Sequence, residues 1–394
     1  MAPLPRAVLF AVLGAVAIAV VVGVVVLWPD SGKTDALRGS VGFAAEGVTF
    51  PHADVDQVDP GCPRDGPDDE PDTSEPCGQI RATVTEGKDT GKKVTLDVPP
   101  DVSDAGLKKG DQLKLIRTPP KDGQPSTLSY FGIERSFSLW VLAGMFAVVV
   151  IAVARFRGLM AIVGLGVAAV ILGGFAVSAW LTGEAAVPVA LVASTAIMYV
   201  VLYTTHGFSV RTSAALAGTL AGMAITAALG WWAVGSAHLT GVAGEGGQIL
   251  TTFSGRISLQ DLLVAAVIIA GLGVLNDVTI TQASAVWELR GAAPTLSRAN
   301  LFTSAMRIGR DHIASTIYTI VFAYAGTSVT LLVAVSLYDR SWLSLIGTEE
   351  IAEELVRAFT SSIGLVLAVP ATTAIAVLTV PGPSTSWGSK ADPP

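Results

Sequence analysis

Charge is the scarcest commodity in this sequence. Only 14% of its 394 residues are Asp, Glu, Lys or Arg, while 51% are hydrophobic and the mean hydropathy is +0.59. Soluble domains carry about 25% charge, so a wholly cytosolic protein is excluded. Cysteine and histidine are also rare, two and four in all, which leaves no Cys/His set spaced for a zinc cage. There is no Gly-x-Ser-x-Gly, no His-Glu-x-x-His and no Gly-rich phosphate loop. No enzyme, no ATP-driven pump and no cofactor is therefore expected. A net charge of -7 gives no support to nucleic-acid binding, which needs a basic footprint.

The charge that exists is unevenly placed. Between Pro29 and Phe137 there are 20 Asp/Glu against 13 Lys/Arg, and the rest of the chain is balanced at 12 against 12. Two parts in two solvents are implied. The first apolar run, Ala7–Trp28, is long enough to cross about 30 Å of hydrocarbon and ends without an A-x-A-like cleavage site, so it reads as a retained anchor. Seven more runs follow: Ser138–Ala154, Leu159–Leu181, Ala185–Tyr203, Thr212–Val234, Leu262–Trp287, Ile313–Tyr338 and Leu355–Val380. Arg155-Phe-Arg-Gly158 and Thr182-Gly-Glu184 are tight inter-helix turns.

The expected fold is thus a mainly α membrane protein, an eight-helix transmembrane bundle with a small extracytoplasmic β-rich domain. Its parts are an anchor (1–28), a β-rich domain (29–137), a seven-helix domain (138–380) and a cytoplasmic disordered tail (381–394). With the N-terminus inside, nine basic residues fall on cytoplasmic loops (Arg6, Arg155, Arg157, Arg211, Arg290, Arg298, Arg307, Arg310 and Lys390). Only Arg256, Arg340 and Arg357 edge the bundle outside. By the positive-inside rule both termini are cytoplasmic.

Within 29–137, Arg81–Gly87, Lys93–Val98 and Asp111–Ile116 alternate apolar and polar residues, the period of half-buried strands. Gly87, Gly91 and Gly110-Asp111 supply turns, and a small barrel or sandwich is expected. Cys62 and Cys77, in an oxidising compartment, are expected to form a disulfide worth about 3 kcal/mol on the loop-entropy argument. The loop between them holds Asp65, Asp68, Asp69, Glu70, Asp72 and Glu75. Calcium favours six to eight oxygen ligands, but Pro67 and Pro71 interrupt the spacing. A solvated acidic loop is the plainer reading, and no metal is expected.

An ionisable residue inside a span is a functional hypothesis by default. Asp277 lies ten residues before Trp287, about 15 Å into its helix. Helical spacing puts Ala270, Gly273, Asp277, Thr281, Ser284 and Glu288 on one face, expected to point into the bundle or a wet cavity. The next span carries Arg307, Arg310, Asp311 and His312, then Thr316, Thr319, Ala323 and Gly326. Arg310 or Arg307 is a candidate partner for Asp277 or Glu288. The candidate polar seam is Asn276, Asp277, Thr281, Ser284, Arg310, Asp311, His312, Thr316 and Thr319. It reads either as an ion or solute path or as one buried charge pair fixing helix register. Asp277 has no second carboxylate within a turn, which weakens a hydrolase reading.

Three further features concern packing. Gly218-Thr-Leu-Ala-Gly222 is a GxxxG helix-approach motif. Pro370 is expected to kink the last span. Thr348 is a possible cap for a short amphipathic helix on the outer surface, running into that span.

These stretches resemble the YibE/F family of bacterial multi-pass membrane proteins. The likeness rests on Gly271-Leu-Gly-Val-Leu-Asn-Asp-Val-Thr-Ile-Thr-Gln-Ala-Ser-Ala-Val-Trp-Glu-Leu-Arg290, on Gly309–Gly326 and on Ser362–Thr373, and is expected over nearly the whole chain. Tyr318 and Val329-Thr330 depart from it. The resemblance implies a bacterial cytoplasmic membrane but no established substrate. The partners expected from the sequence are the lipid bilayer, an ion or small polar solute moved by a permease-like protein, or else an extracytoplasmic protein bound by the β-rich domain of a non-transporting envelope protein.

Overall fold

A computed structural model describes residues 3–34, 47–61, 77–120, 125–243, 245–251, 257–337 and 342–383. The chain divides into two compact units, 38–149 and 1–37 with 150–394.

The smaller unit is a five-stranded antiparallel sheet ordered β3-β2-β1-β4-β5. The strands are β1 (His52–Asp59), β2 (Gln79–Val84), β3 (Lys93–Asp97), β4 (Gln112–Thr118) and β5 (Thr127–Ile133). The outer strands β3 and β5 also touch, so the sheet curls into a half-barrel. Alternation drives the curl: Ala53, Val55, Ile80, Ala82, Val84, Leu96, Leu113 and Leu115 all point inward and form one small core. Gly87 and Gly91 sit at φ 83° and 84°, left-handed values that a β-carbon disfavours, and close the β2–β3 hairpin. The central strand β1 escaped the sequence reading because its register shifts between Val55 and Gln57, breaking the period of two.

The larger unit is helical. Its long helices are α1 (Pro3–Val26), the part of α2 (Ser136–Val170) from residue 150 onward, α3 (Ala186–His206), α4 (Val210–Ser236), α5 (Leu259–Ala292), α6 (Arg298–Thr327) and α7 (Glu349–Thr379). After α2 the chain continues through a π-helical turn, Ile171–Ala176, into Val177–Leu181. Inside α2, Arg155 leaves the helical region (φ 53°, ψ -133°). A β-carbon on Gly158 would strike the Val150 carbonyl oxygen, so the helix bends sharply at the basic segment, where Gly158 leaves room for no side chain.

Among the described residues, six stretches are long and apolar enough to cross a membrane: Leu4–Val26, Ser136–Leu181, Ala186–His206, Val210–Ser236, Leu259–Ala292 and Glu349–Thr379. Two of the expected spans fall within the single stretch Ser136–Leu181. The expected span Ile313–Tyr338 is corrected: α6 starts at Arg298, and Ser328 (φ -98°, ψ 7°) ends it before a separate short helix, Val329–Ser336. Arg298, Arg307, Arg310 and Asp311 load its first half with charge.

Helices α4, α5 and α7 form the packed centre. An added methyl on Gly222 would lie 2.7 Å from Leu275 Cδ2 and 2.8 Å from Ala368 Cβ, and one on Gly218 would overlap Thr372. The GxxxG pair is therefore where α4 meets α5 and α7. Pro370, where a kink or a broken hydrogen-bond ladder is expected, lies inside the single helix α7, Glu349–Thr379. Thr372 and Thr373 return their hydroxyls to the carbonyls of Ala368 and Val369, both at 2.7 Å.

Candidate functional site

Which face of α5 is buried decides where the site lies. Gly271, Leu275, Val278, Thr279, Gln282 and Val286 are buried, whereas Gly273, Asp277, Thr281 and Glu288 are exposed. Of the two placements expected for the Asp277 face, the packed bundle or a wet cavity, the first is excluded. Sealed inside instead is Gln282, whose amide nitrogen donates to the Ala305 carbonyl at 3.0 Å and to Thr373 Oγ1 at 2.7 Å. Thr219 and Thr279 share a hydroxyl hydrogen bond of 2.6 Å. These contacts join all four helices α4–α7 through polar groups that the sequence reading did not single out.

Asp277 instead borders α6. Its Oδ2 stands 4.0 Å from His312 Nε2, with the Asp side chain 70% exposed and the His 33%. Neither Arg307 nor Arg310 is its partner; both are exposed. The cause is the rotation of α6, which packs Gly309 onto Gln282 and Val369 and turns positions 307, 310 and 311 outward. Asp311 and Thr319 are exposed, Thr316 is buried, and Asn276 and Ser284 are half-buried. Thr316 and Thr319 bond their own helix, to the carbonyls of His312 at 2.8 Å and Ser315 at 3.3 Å. Of the nine expected seam residues, the structure brings Asp277 and His312 together and leaves Arg310 and Asp311 on the outer surface.

A cavity of about 840 Å³ opens where α5, α6 and α7 meet. Ala270 and Val274 line it from α5, Thr319 and Tyr324 from α6, and Glu354 and Arg357 from α7. Arg357 Nη1 donates to Glu354 Oε1 at 2.6 Å. Glu354 Oε2 and Arg357 Nε are buried without a partner among the described residues. Buried polar atoms need partners, so this cavity is chemically suited to water or a polar solute. Ala270 to Asp277 and His312 to Thr319 are each seven residues, two helical turns or about 10 Å. The cavity and the Asp277–His312 pair therefore lie along one α5/α6 groove.

The Glu354–Arg357 pair was missed because its segment reads as an amphipathic surface helix. It is instead the first part of the 31-residue helix α7. Its i, i+3, i+7 series Glu354, Arg357 and Ser361 was the available signal. Thr348 does occupy the N-cap position, but its hydroxyl bonds the Leu345 carbonyl at 2.8 Å and caps nothing.

The β-rich unit holds a second concavity, of about 820 Å³. At its edge His52 stands between two carboxylates, Nδ1 at 2.8 Å from Glu86 Oε2 and Nε2 at 3.4 Å from Glu134 Oε2. The bond to Glu86, with help from Glu134, raises the His52 pKa above its ordinary 6.5. Glu134 is pulled down to about 2, chiefly because it accepts from the Ser136 hydroxyl and backbone. Among the described residues no group of three or more His, Cys, Asp or Glu is arranged to hold a metal ion. Cys62 and the acidic loop 65–75 lie outside the described residues.

A set of long apolar helices attached to a small β-rich unit defines a multi-pass membrane protein. The sequence pattern of YibE/F-like proteins matches residues 142–382, and the chain belongs to this family. The match takes in the three stretches 271–290, 309–326 and 362–373, but not α1 or the β-rich unit, so the likeness is narrower than expected. No curated protein matches the chain. No solved structure matches it either.

Proposed function

We propose that this protein is a permease-like carrier of an ion or small polar solute, working through the α5/α6 groove. The observation that carries the reading is the α5–α6–α7 cavity, with its unpartnered Glu354 and Arg357 atoms two turns from Asp277 and His312. Its volume lies in the range of small-molecule sites. The proposed setting is the bacterial cell membrane, crossed by eight spans, with residues 29–137 extracytoplasmic and both termini cytoplasmic. Two contacts support this alternation. Arg6 Nε donates to the Thr379 carbonyl at 2.8 Å, joining the start of α1 to the end of α7. Glu349, at the start of α7, accepts from Thr240 and Gly241 just beyond α4.

The test is flux into proteoliposomes, driven by ion gradients across a panel of small polar solutes, with Asp277→Asn and Glu354→Gln alongside. Wild-type flux reduced at least tenfold in either variant is the expected result. Mutant flux equal to wild type in both removes the groove from the mechanism. A Thr319→Cys variant that resists a membrane-impermeant maleimide argues against a wet groove.

The second reading, an envelope protein whose outer domain binds a partner, is favoured by the mixed-charge concavity beside His52, which Asp111, Lys114 and Arg135 also line. Retention of a specific envelope protein by the full chain, lost on His52→Ala, would support it.

A further inference from the structure

The outward face of α6 poses a problem of solvation. The Thr219–Thr279 hydrogen bond and the contact of Gly222 with Leu275 set Asp277 level with the middle of α4. It lies about 16 Å from the Val210 end of a helix about 40 Å long. His312 is at the same depth through its contact with Asp277, and Arg310 and Asp311 are within one turn of His312. Arg310 and Asp311 therefore lie near mid-depth of the bundle, and both are exposed. So is Arg307, one turn nearer the α6 N-terminus. No ion pair among the described residues engages these three. Charges at this depth are not left facing hydrocarbon.

Among the described residues, the other helices supply no complement at this depth beyond Asp277 of α5, which lies beside His312. Helix α1 has Arg6, bonded to Thr379. Residues 136–181 have only Arg155 and Arg157, both at the turn; α3 has only His206 and α4 only Arg211, each at a helix end. The charges of α7 lie in its first nine residues. Among the described residues of the helices, the charged groups at this depth are Asp277, which lies beside His312 of its own chain, and Arg310 and Asp311 themselves, so only another copy of the latter two is left to answer them.

We infer that the exposed face of α6 is a two-fold interface with a second copy of this chain. A two-fold axis along the membrane normal makes groups of equal depth face one another, and each contact occurs twice. Arg310 and Asp311 are consecutive, hence at nearly equal depth, so each Arg310 meets the other copy's Asp311. The same face continues toward the α6 C-terminus through Ala314 to the stacked, exposed Tyr318 and Phe322, which supply the apolar part of the contact. The second copy also closes the open side of the α5/α6 groove. The inference stands on the exposed charges, whether or not the groove carries a solute.

The experiment measures the mass of the full chain in lipid nanodiscs, in which dimers are expected. Asp311→Arg and Arg310→Glu each shift the population at least tenfold toward monomer, and the exchanged double variant Arg310→Glu/Asp311→Arg restores dimers. As an independent reading, Ala314→Cys, with Cys62 and Cys77 replaced by Ser, forms a disulfide-linked dimer in native membranes, while Val163→Cys on α2 does not. A monomeric wild type without the Ala314→Cys cross-link overturns the inference. In that case, labelling of Ala314→Cys by an impermeant maleimide identifies water as the occupant, and protection identifies a different protein. Dimers that survive both charge reversals also overturn it.

Discussion

Asp277 and His312 are 4.0 Å apart at mid-bundle, on helices consecutive in the sequence, and the carboxylate is turned away from the packed core. The pair is therefore not the buried clasp of the bundle. That role belongs to Gln282, about one and a half helical turns further along α5 and on its buried side. Substitutions at the two positions should separate accordingly.

Asp277→Asn leaves the packed centre intact and is expected to change thermal stability by no more than about 0.5 kcal/mol, the usual range for exposed sites. Gln282→Ala removes the two hydrogen bonds that its amide donates to the Ala305 carbonyl and Thr373 Oγ1 and empties a buried site, a loss of about 1–3 kcal/mol. Unfolding of the detergent-purified variants, followed side by side, checks both. Equal destabilisation by the two would contradict the assigned faces.

Gly222→Ala places a methyl against Leu275 and Ala368. Overpacking of this kind costs about 1–3 kcal/mol. Gly235→Ala, on the same helix with nothing near its would-be β-carbon, serves as the control and should be neutral or slightly stabilising. The readout is the midpoint of thermal unfolding.

The β-rich unit has a signed pH dependence. His52 has a raised folded pKa, so its pairing contributes in full below 6.5 and fades as pH rises through the raised value. Glu134, held down at about 2, contributes in full above 4.5 and loses its effect as pH falls toward 2. Both contributions are present between 4.5 and 6.5. His52→Gln should therefore destabilise the full chain more at pH 5.5 than at pH 9. A penalty that grows with pH would refute the assignment.

Cys62 and Cys77 should be joined. Asp59 pairs with Gln79 across β1 and β2, and Gly78 donates its N–H to the Pro60 carbonyl at 2.6 Å, so the backbone draws together the positions that flank the two cysteines. Intact mass after alkylation without reductant should show no modified thiol. Two modified thiols in protein from an oxidising compartment would rule the bridge out.

The features legible in the sequence share a physical basis: they are local. Strands β2–β4 follow from alternation over five to seven residues, and the turn at Arg155–Gly158 from a basic break in an apolar run. The Gly218/Gly222 approach follows from spacing on one helix. The facing of α5 was not legible, because a membrane helix meets apolar surroundings on both sides. The stripe Ala270, Gly273, Asp277 and Thr281 is as small and polar as the stripe Gly271, Thr279 and Gln282 that is buried. The cavity was hidden for a different reason: its lining runs from Trp180 through α5 and α6 to Ser361 of α7, residues far apart in the sequence. No window along the chain contains them together.

The central place of α7 also bears on biosynthesis. Helices α4 and α5 leave the ribosome well before α7, which packs against both and bonds Arg6 of α1 through its final turn. Until α7 arrives, Gly218 and Gly222 line a vacant slot and Gln282 lacks its Thr373 acceptor. The earlier helices must therefore wait in the bilayer as a loose assembly, open to quality-control proteases. A premature stop anywhere before residue 349 would leave a product without its keystone, whatever the length of chain already inserted.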